Sequence, residues 1–203
     1  ESIHIEQNLV GEVVGSQDQV SAAYGGFNRV TFCPSGKIVV EPISIPYERV
    51  EQLDQCSMLF YTGMLRTASD VAATYVSKIQ SNRSMYEDLY ALASDAYKIL
   101  IGNGDLDKFG HLLHENWLVK RGLSSQVSNP VIDRYYETAR SAGAFGGKVV
   151  GAGNGGMLLL YVPQENQDRV RMSLSKLLHI PFRFESGGSE VIFHSNSQHS
   201  PHS

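Results

Sequence analysis

One carboxylate and two glycine-rich segments are the parts of this chain whose residue types and spacing point to chemistry. The carboxylate is Asp18, set between two amides in Val14-Gly15-Ser16-Gln17-Asp18-Gln19. The residues after it, Val20 to Tyr24, suit a helix, and Gly25-Gly26 punctuates its end. Asp18 is thereby expected at the mouth of a short helix, where the dipole and the free N–H groups favour negative charge. A general base or a cation holder needs that charge. An N-cap needs the same residue in the same place, and the local sequence leaves both readings open.

The second glycine segment is Gly151-Ala152-Gly153-Asn154-Gly155-Gly156, preceded by Gly146-Gly147-Lys148. Glycines this dense let successive N–H groups point into one concavity, a nest for phosphate oxygens. It is not a Walker loop, because Val149 follows Lys148 and Ala142 stands where the first glycine belongs. It is a poor dinucleotide fingerprint too, since an apolar strand follows it rather than a helix. By itself a tight strand-to-strand connection fits the segment equally well. Arg66, in Thr62-Gly63-Met64-Leu65-Arg66-Thr67-Ala68-Ser69, is expected at a strand-to-helix turn. It suits an oxyanion clamp there, or an ordinary surface arginine. His111, His114 and Glu115 share a helix, but their order matches no metalloprotease motif and supplies no open three-ligand site. There is no Gly-x-Ser-x-Gly elbow for an esterase.

Composition narrows the class. The 203 residues suffice for one large domain or two small ones, and 42% hydrophobic with 19% charged residues is ordinary for a globular protein. The net charge of −4, with no run of Lys or Arg, speaks against a nucleic-acid or anionic-membrane surface. The longest uninterrupted apolar run, Met157 to Val162, is far short of a membrane span. Cys33 and Cys56 offer neither zinc spacing nor a disulfide framework, and no signal peptide is recognisable, so a cytoplasmic location is expected. The chain begins with Glu1, and a processed, trimmed or partial chain is an expectation.

The elements that must position these residues read as follows. Ile3 to Val10 suits a helix end closed by Gly11. Phe27 to Phe32 and Ile38 to Ile45 flank the turn Pro34-Ser35-Gly36-Lys37 and predict a hairpin. Tyr47 to Gln55 is polar enough for a linker, and a domain boundary is placed there. Ser57 to Thr62 predicts a buried strand. Helices follow over Met85 to Ile101, from Asp105 to a stop at Gly122, and from Pro130 to Gly143, the last with Asn129 as its N-cap. Ala144 to Gly151 and Met157 to Val162 read as strands, Glu165 to Leu178 as a helix, and Ile180 to Phe184 with Glu190 to Phe193 as a last strand pair. That order predicts an elaborated ferredoxin-like α+β sandwich with a frayed tail.

Taken in order, several blocks carry a resemblance. They are Gly15 to Phe27, the strand Leu59-Phe60-Tyr61-Thr62-Gly63 with Arg66, Glu115-Asn116-Trp117, Lys120-Arg121, Ser128-Asn129-Pro130-x-Ile132-Asp133, and Gly143 to Tyr161. Together they resemble the GHMP sugar and small-molecule kinases, most of all the heptose 7-phosphate kinases. The resemblance implies an α+β chain in which residues 1–50 are the remainder of a GHMP N-terminal domain. Residues 51–194 are then a ferredoxin-like C-terminal domain with extra helices, and 195–203 a flexible tail. It implies ATP-dependent phosphoryl transfer to a sugar-phosphate hydroxyl, for heptose 7-phosphate the anomeric one, with Asp18 as base. Gln17, Arg66, Lys148, Gly151, Gly153, Gly155 and Gly156 are the substrate and phosphate contacts expected on that basis. A small sugar phosphate is the expected partner, with a homodimer left open and neither nucleic acid nor membrane involved.

The family's Pro-x-x-x-Gly-Leu-Gly-Ser-Ser loop, which wraps the ATP phosphates and helps hold Mg2+, has no counterpart in these residues, and Asn154 stands where the family usually has glycine. The expectation is therefore the carboxy-terminal two-thirds of such a kinase, with the phosphate loop and metal ligands upstream. The alternative is a shortened, catalytically inactive relative that senses a sugar.

Overall fold

Two antiparallel sheets organise the chain, which is seen in a computed structural model that describes residues 1–12, 15–64, 74, 78–151 and 153–192. The N-terminal residues form α1 (Ser2–His4), which continues as a π-helical stretch (Ile5–Val10) and closes at Gly11, φ 79°. Then come α2 (Gln17–Tyr24) and the predicted hairpin of β1 (Asn28–Phe32) and β2 (Ile38–Pro42), with Val30 opposite Val40. The hairpin docks on the rest of the chain in part through Arg29, whose guanidinium lies 5.3 Å from the ring centre of Tyr97.

The larger sheet holds β3 (Ser57–Tyr61), β4 (Gly146–Val149), β5 (Met157–Tyr161) and β6 (Leu178–Ile180) in the order β4-β5-β3-β6, every pair antiparallel. Ahead of it runs α3 (Tyr47–Cys56), and the long crossover from β3 to β4 contains α4 (Arg83–Ile101), α5 (Asp107–Leu123) and α6 (Pro130–Ser141). α7 (Gln167–Ser173) links β5 to β6. This is the expected ferredoxin-like α+β arrangement with extra helices. α6 begins where Asn129-Pro130 predicts. The Asn129 Oδ1 accepts from the N–H of Val131 at 2.9 Å and of Ile132 at 3.1 Å, and Pro130 takes the first helical position.

Strand alternation divides the core in two. Met58 and Phe60 of β3 and Leu158 and Leu160 of β5 turn to one side, where Trp117, Ile132, Tyr136, Val170 and Leu174 cover them. Leu53, Cys56, Leu100, Leu106 and Tyr161 make a second cluster with Phe27 and Phe184 at its rim. Burying each large side chain of these sets contributes about 1.5–3 kcal/mol, so the sheet is fixed from both sides.

Three expectations are corrected. Tyr47 to Gln55 is no linker but the body of α3. Leu53 is 2% exposed and Cys56 is buried, three residues apart on one face. Its polar residues have partners distant in sequence: the Arg49 guanidinium donates to the carbonyls of Ile99, Leu100 and Gly104 at 2.7, 3.2 and 2.9 Å and so caps the end of α4. Gly122 does not stop α5, which runs on to Leu123. A Cβ there would lie 2.2 Å from Met85 Cε, the flexible end of a side chain of α4 that packs over this glycine. The last strand pair is absent as well, and only Leu178–Ile180 joins the sheet. Beyond it the backbone turns to α2 instead: Gly26 N–H donates to Glu185 O at 3.0 Å and Ser189 N–H to Ala22 O at 2.9 Å, while Phe184 packs on Phe27. Phe193 and the tail lie outside the described residues.

Candidate functional site

Ser16 occupies the N-cap position of α2, and Asp18 is the second residue of its first turn. The N-cap reading of Asp18 is therefore set aside. Gln17 and Asp18 are both exposed, whereas Gln19 and Val20 turn inward, Gln19 to a hydrogen bond with Glu6. An exposed carboxylate at the positive end of a helix, with no cap to make, is available to a ligand.

The other side of the site is built by α5 running along the edge strand β4. The two backbones touch: a Cβ on Gly146 would lie 2.0 Å from Gly110 O. From that contact, ten residues of helix advance about 15 Å and five of extended chain about 16 Å. The two elements keep pace, and Lys120 arrives beside Gly151, whose carbonyl accepts from Lys120 Nζ at 2.7 Å. Lys148 is two residues past Gly146 and by alternation shares its face. Among the described residues neither lysine makes an ion pair, and the Lys148 side chain makes no hydrogen bond.

Charge binds these groups into one site. Burial draws the Lys120 ammonium down to about 8 from its ordinary 10.5, the neighbouring Lys148 adds to the shift, and the Asp18 carboxylate opposes it. Lys148 is lowered for the same first reason and is likewise held up by Asp18. The Asp18 carboxylate, far away in sequence, thus acts on both lysines. Lys120 is the residue that the sequence reading did not single out. Its signal was present in Lys120-Arg121, but Arg121 is taken up by Asp133 at 3.2 Å, and only the register of α5 against β4 reveals what Lys120 faces.

The glycine loop between β4 and β5 is tethered on both sides. Asn154 N–H donates to Val127 O at 2.7 Å and Gly156 N–H to Met64 O at 2.8 Å, so two N–H groups of the expected nest are spent on backbone. Gly153 and Gly155 are there for close approach, since Cβ atoms would lie 2.5 Å from Val127 O and 2.7 Å from Met64 O. Gly151 and Gly156 face open space at φ 85° and 79°. Asn154 takes the left-handed conformation at φ 60° that a glycine would take, and its Oδ1 accepts from Asn129 Nδ2 at 2.6 Å. The departure from glycine is thereby accommodated, through the same Asn129 that caps α6.

Arg66 and Ala152 lie outside the described residues. His111 stacks on Phe145 with ring centres 4.7 Å apart, and His114 Nδ1 is 2.7 Å from the Tyr136 hydroxyl, so both histidines are packing residues. Among the described residues no three His, Cys, Asp or Glu side chains gather to hold a metal ion, and no helix is long and apolar enough to cross a membrane.

Residues 90–180, from the middle of α4 through β6, match the family described as GHMP kinases C terminal. This stretch is a GHMP kinase C-terminal domain. The chain is 30% identical over 174 residues to the D-glycero-alpha-D-manno-heptose 7-phosphate kinase of Campylobacter jejuni, covering 85% of this chain and 51% of that protein. Among solved structures it resembles a D-glycero-D-manno-heptose 1-phosphate kinase from Bacteroides thetaiotaomicron, with 26% identity and a TM-score of 0.63 over 91% of this chain and 51% of that one. It shares its fold with the Lactococcus lactis galactokinase complexed with galactose, at 18% identity and a TM-score of 0.66 over 93% and 59% of the two chains. The chain thus spans about half the length of the heptose 7-phosphate kinase it matches.

Proposed function

We propose that the protein transfers the γ-phosphoryl group of ATP to a hydroxyl of a sugar phosphate, the anomeric hydroxyl of a heptose 7-phosphate, with Asp18 as the base. The observation that carries this reading is the exposed carboxylate of Asp18, which acts on Lys148 and Lys120 beside the glycine loop. The 30% identity to a heptose 7-phosphate kinase favours that acceptor over other sugars.

The chemistry asked of these residues is modest. Asp18 accepts the acceptor hydroxyl proton as the new O–P bond forms and the bond to ADP breaks, a role that contributes about 10²–10⁴-fold. Transfer of this kind depends mainly on alignment and charge neutralisation. The unpaired ammonium of Lys148 suits a phosphate oxygen, as does Arg66 in the expected carry-over. Magnesium enters as Mg·ATP, and the residues that help hold it are expected with the family's phosphate loop, upstream of these residues.

The test is 31P NMR on the product of the complete reading frame, given Mg·ATP and heptose 7-phosphate. The expected result is a new phosphate resonance coupled to the anomeric proton, appearing together with ADP. ATP consumed without any new sugar phosphate, or no change at all, would remove the kinase reading.

A further inference from the structure

The two lysines at the glycine loop raise a question that a base and a glycine turn do not answer. Lys120 and Lys148 come from different elements, α5 and β4, yet the packing of Gly110 on Gly146 brings both to the same end of the edge strand. Both are half-buried, and among the described residues neither has a carboxylate in ion-pair contact. Two like charges brought together and partly desolvated oppose each other and destabilise the fold. Lys120 Nζ makes one bond, to Gly151 O, and keeps donors to spare, since an ammonium has three. Gly151 itself is open on the side a Cβ would take. The one carboxylate acting on both lysines is Asp18, which is exposed and on a separate helix.

We propose that Lys120 and Lys148 form a two-lysine clamp for a phosphate dianion at the mouth of the glycine loop, with Lys120 as a substrate-binding residue. The assignment rests on the kinase reading for the identity of the ligand, a phosphomonoester or phosphoanhydride oxygen, but not for the existence of the clamp. The chemistry admits two sources: the phosphate already on the acceptor sugar, or the phosphates of the nucleotide. A dianion between the two ammonium groups removes their mutual repulsion, and the Lys120–Gly151 bond holds one donor group in place. Burial and the neighbouring charge also leave Lys120 more readily deprotonated than a free lysine, so it reacts with acylating reagents at neutral pH when nothing covers it.

That reactivity supplies the test. The product of the complete reading frame is acetylated with a trace of N-hydroxysuccinimide ester, and labelling of Lys120 and Lys148 is read by mass spectrometry against the exposed Lys37 of the hairpin turn. Saturating heptose 7-phosphate or ADP is expected to slow labelling of both lysines about tenfold or more, with Lys37 unchanged. The unphosphorylated heptose is expected to protect neither. Protection by heptose 7-phosphate alone assigns the clamp to the acceptor, and protection by ADP alone assigns it to the nucleotide. Lys120→Met should weaken the protection of Lys148 about tenfold, and Lys120→Arg should restore it. Equal protection by heptose and heptose 7-phosphate without any effect of ADP, or none by either phosphorylated ligand, overturns the clamp. The kinase reading fails separately: loss of turnover with the lysines still protected leaves the clamp standing. Unchanged KM for both substrates in Lys120→Met removes the clamp and leaves the kinase.

Discussion

Two glycine clusters, one at the C-terminal end of α2 and one in the loop between β4 and β5, use glycine for different purposes. At the C-terminal end, Gly25 and Gly26 meet Gly187 and Gly188. A Cβ on Gly25 would lie 2.2 Å from Gly187 C, and one on Gly188 would lie 2.2 Å from Ala23 O. There two backbones are pressed together and no space is left. At the N-terminal end Asp18 is exposed, and its charge is felt by the lysines around Gly151 to Gly156. In that loop Gly153 and Gly155 are packing glycines as well, but Gly151 and Gly156 face open space. Glycine density therefore marks close approach as readily as it marks a ligand. What separates the two clusters is charge without a partner.

The strongest way to break this comparison is at Asp18. Asp18→Asn removes the proton acceptor while keeping shape, and is expected to lower kcat by about 10²–10⁴-fold with little change in sugar affinity. Steady-state kinetics beside calorimetric binding of the acceptor checks both halves, and a fully active Asn variant would remove the base assignment. The structural cluster should respond in the opposite sense. Gly188→Ala drives a methyl into the Ala23 carbonyl and should cost about 1–3 kcal/mol, seen as a lower midpoint in urea, while kcat in the folded fraction stays unchanged. Gly151→Ala meets no atom and carries only the strain of φ 85°, about 1–2 kcal/mol at most by the same urea measurement. An equal or larger loss at Gly151 would contradict the distinction between packed and open glycines.

The smallest effects concern Lys120 and its titration. With its ammonium near 8, lowered by burial and by Lys148 and opposed by Asp18, the clamp loses a charge as pH rises from 7 to 9. KM for the phosphorylated substrate held there should increase over that interval, while KM for its unphosphorylated analogue stays level. Stability moves the other way. Below 8 Lys120 is charged in both folded and unfolded chains, and its burial penalty is fully present. Between 8 and 10.5 the unfolded chain binds more protons, so folding becomes relatively more favourable. Lys120→Met should accordingly raise Tm by roughly 2–4 °C at pH 7, a gain that fades above pH 8 in a thermal melt series.

Much of the fold was legible because local signals agreed with the tertiary answer. The three- and four-residue recurrence of Tyr86, Leu89, Tyr90 and Ala93 gave α4, Asn129-Pro130 gave the start of α6, and alternation gave the hairpin. Legibility failed where a partner distant in the chain decides the matter. Tyr47 to Gln55 looks like a linker because its polar residues serve the far end of α4, through Arg49. The last strand pair fails because its hydrogen bonds go to the end of α2. At the candidate site, Asp18, Lys148 and the glycine loop were singled out from residue type alone. Lys120 was not, because its place follows from a helix and a strand advancing in step from one glycine contact.

The most direct measurement of the central claim is the initial rate of ADP release from Mg·ATP by the product of the complete reading frame, across a panel of sugars and sugar phosphates. Turnover selective for heptose 7-phosphate, and absent with heptose or galactose, is the predicted result. Equal ADP release with and without any sugar, or a preference for unphosphorylated sugars, would contradict it.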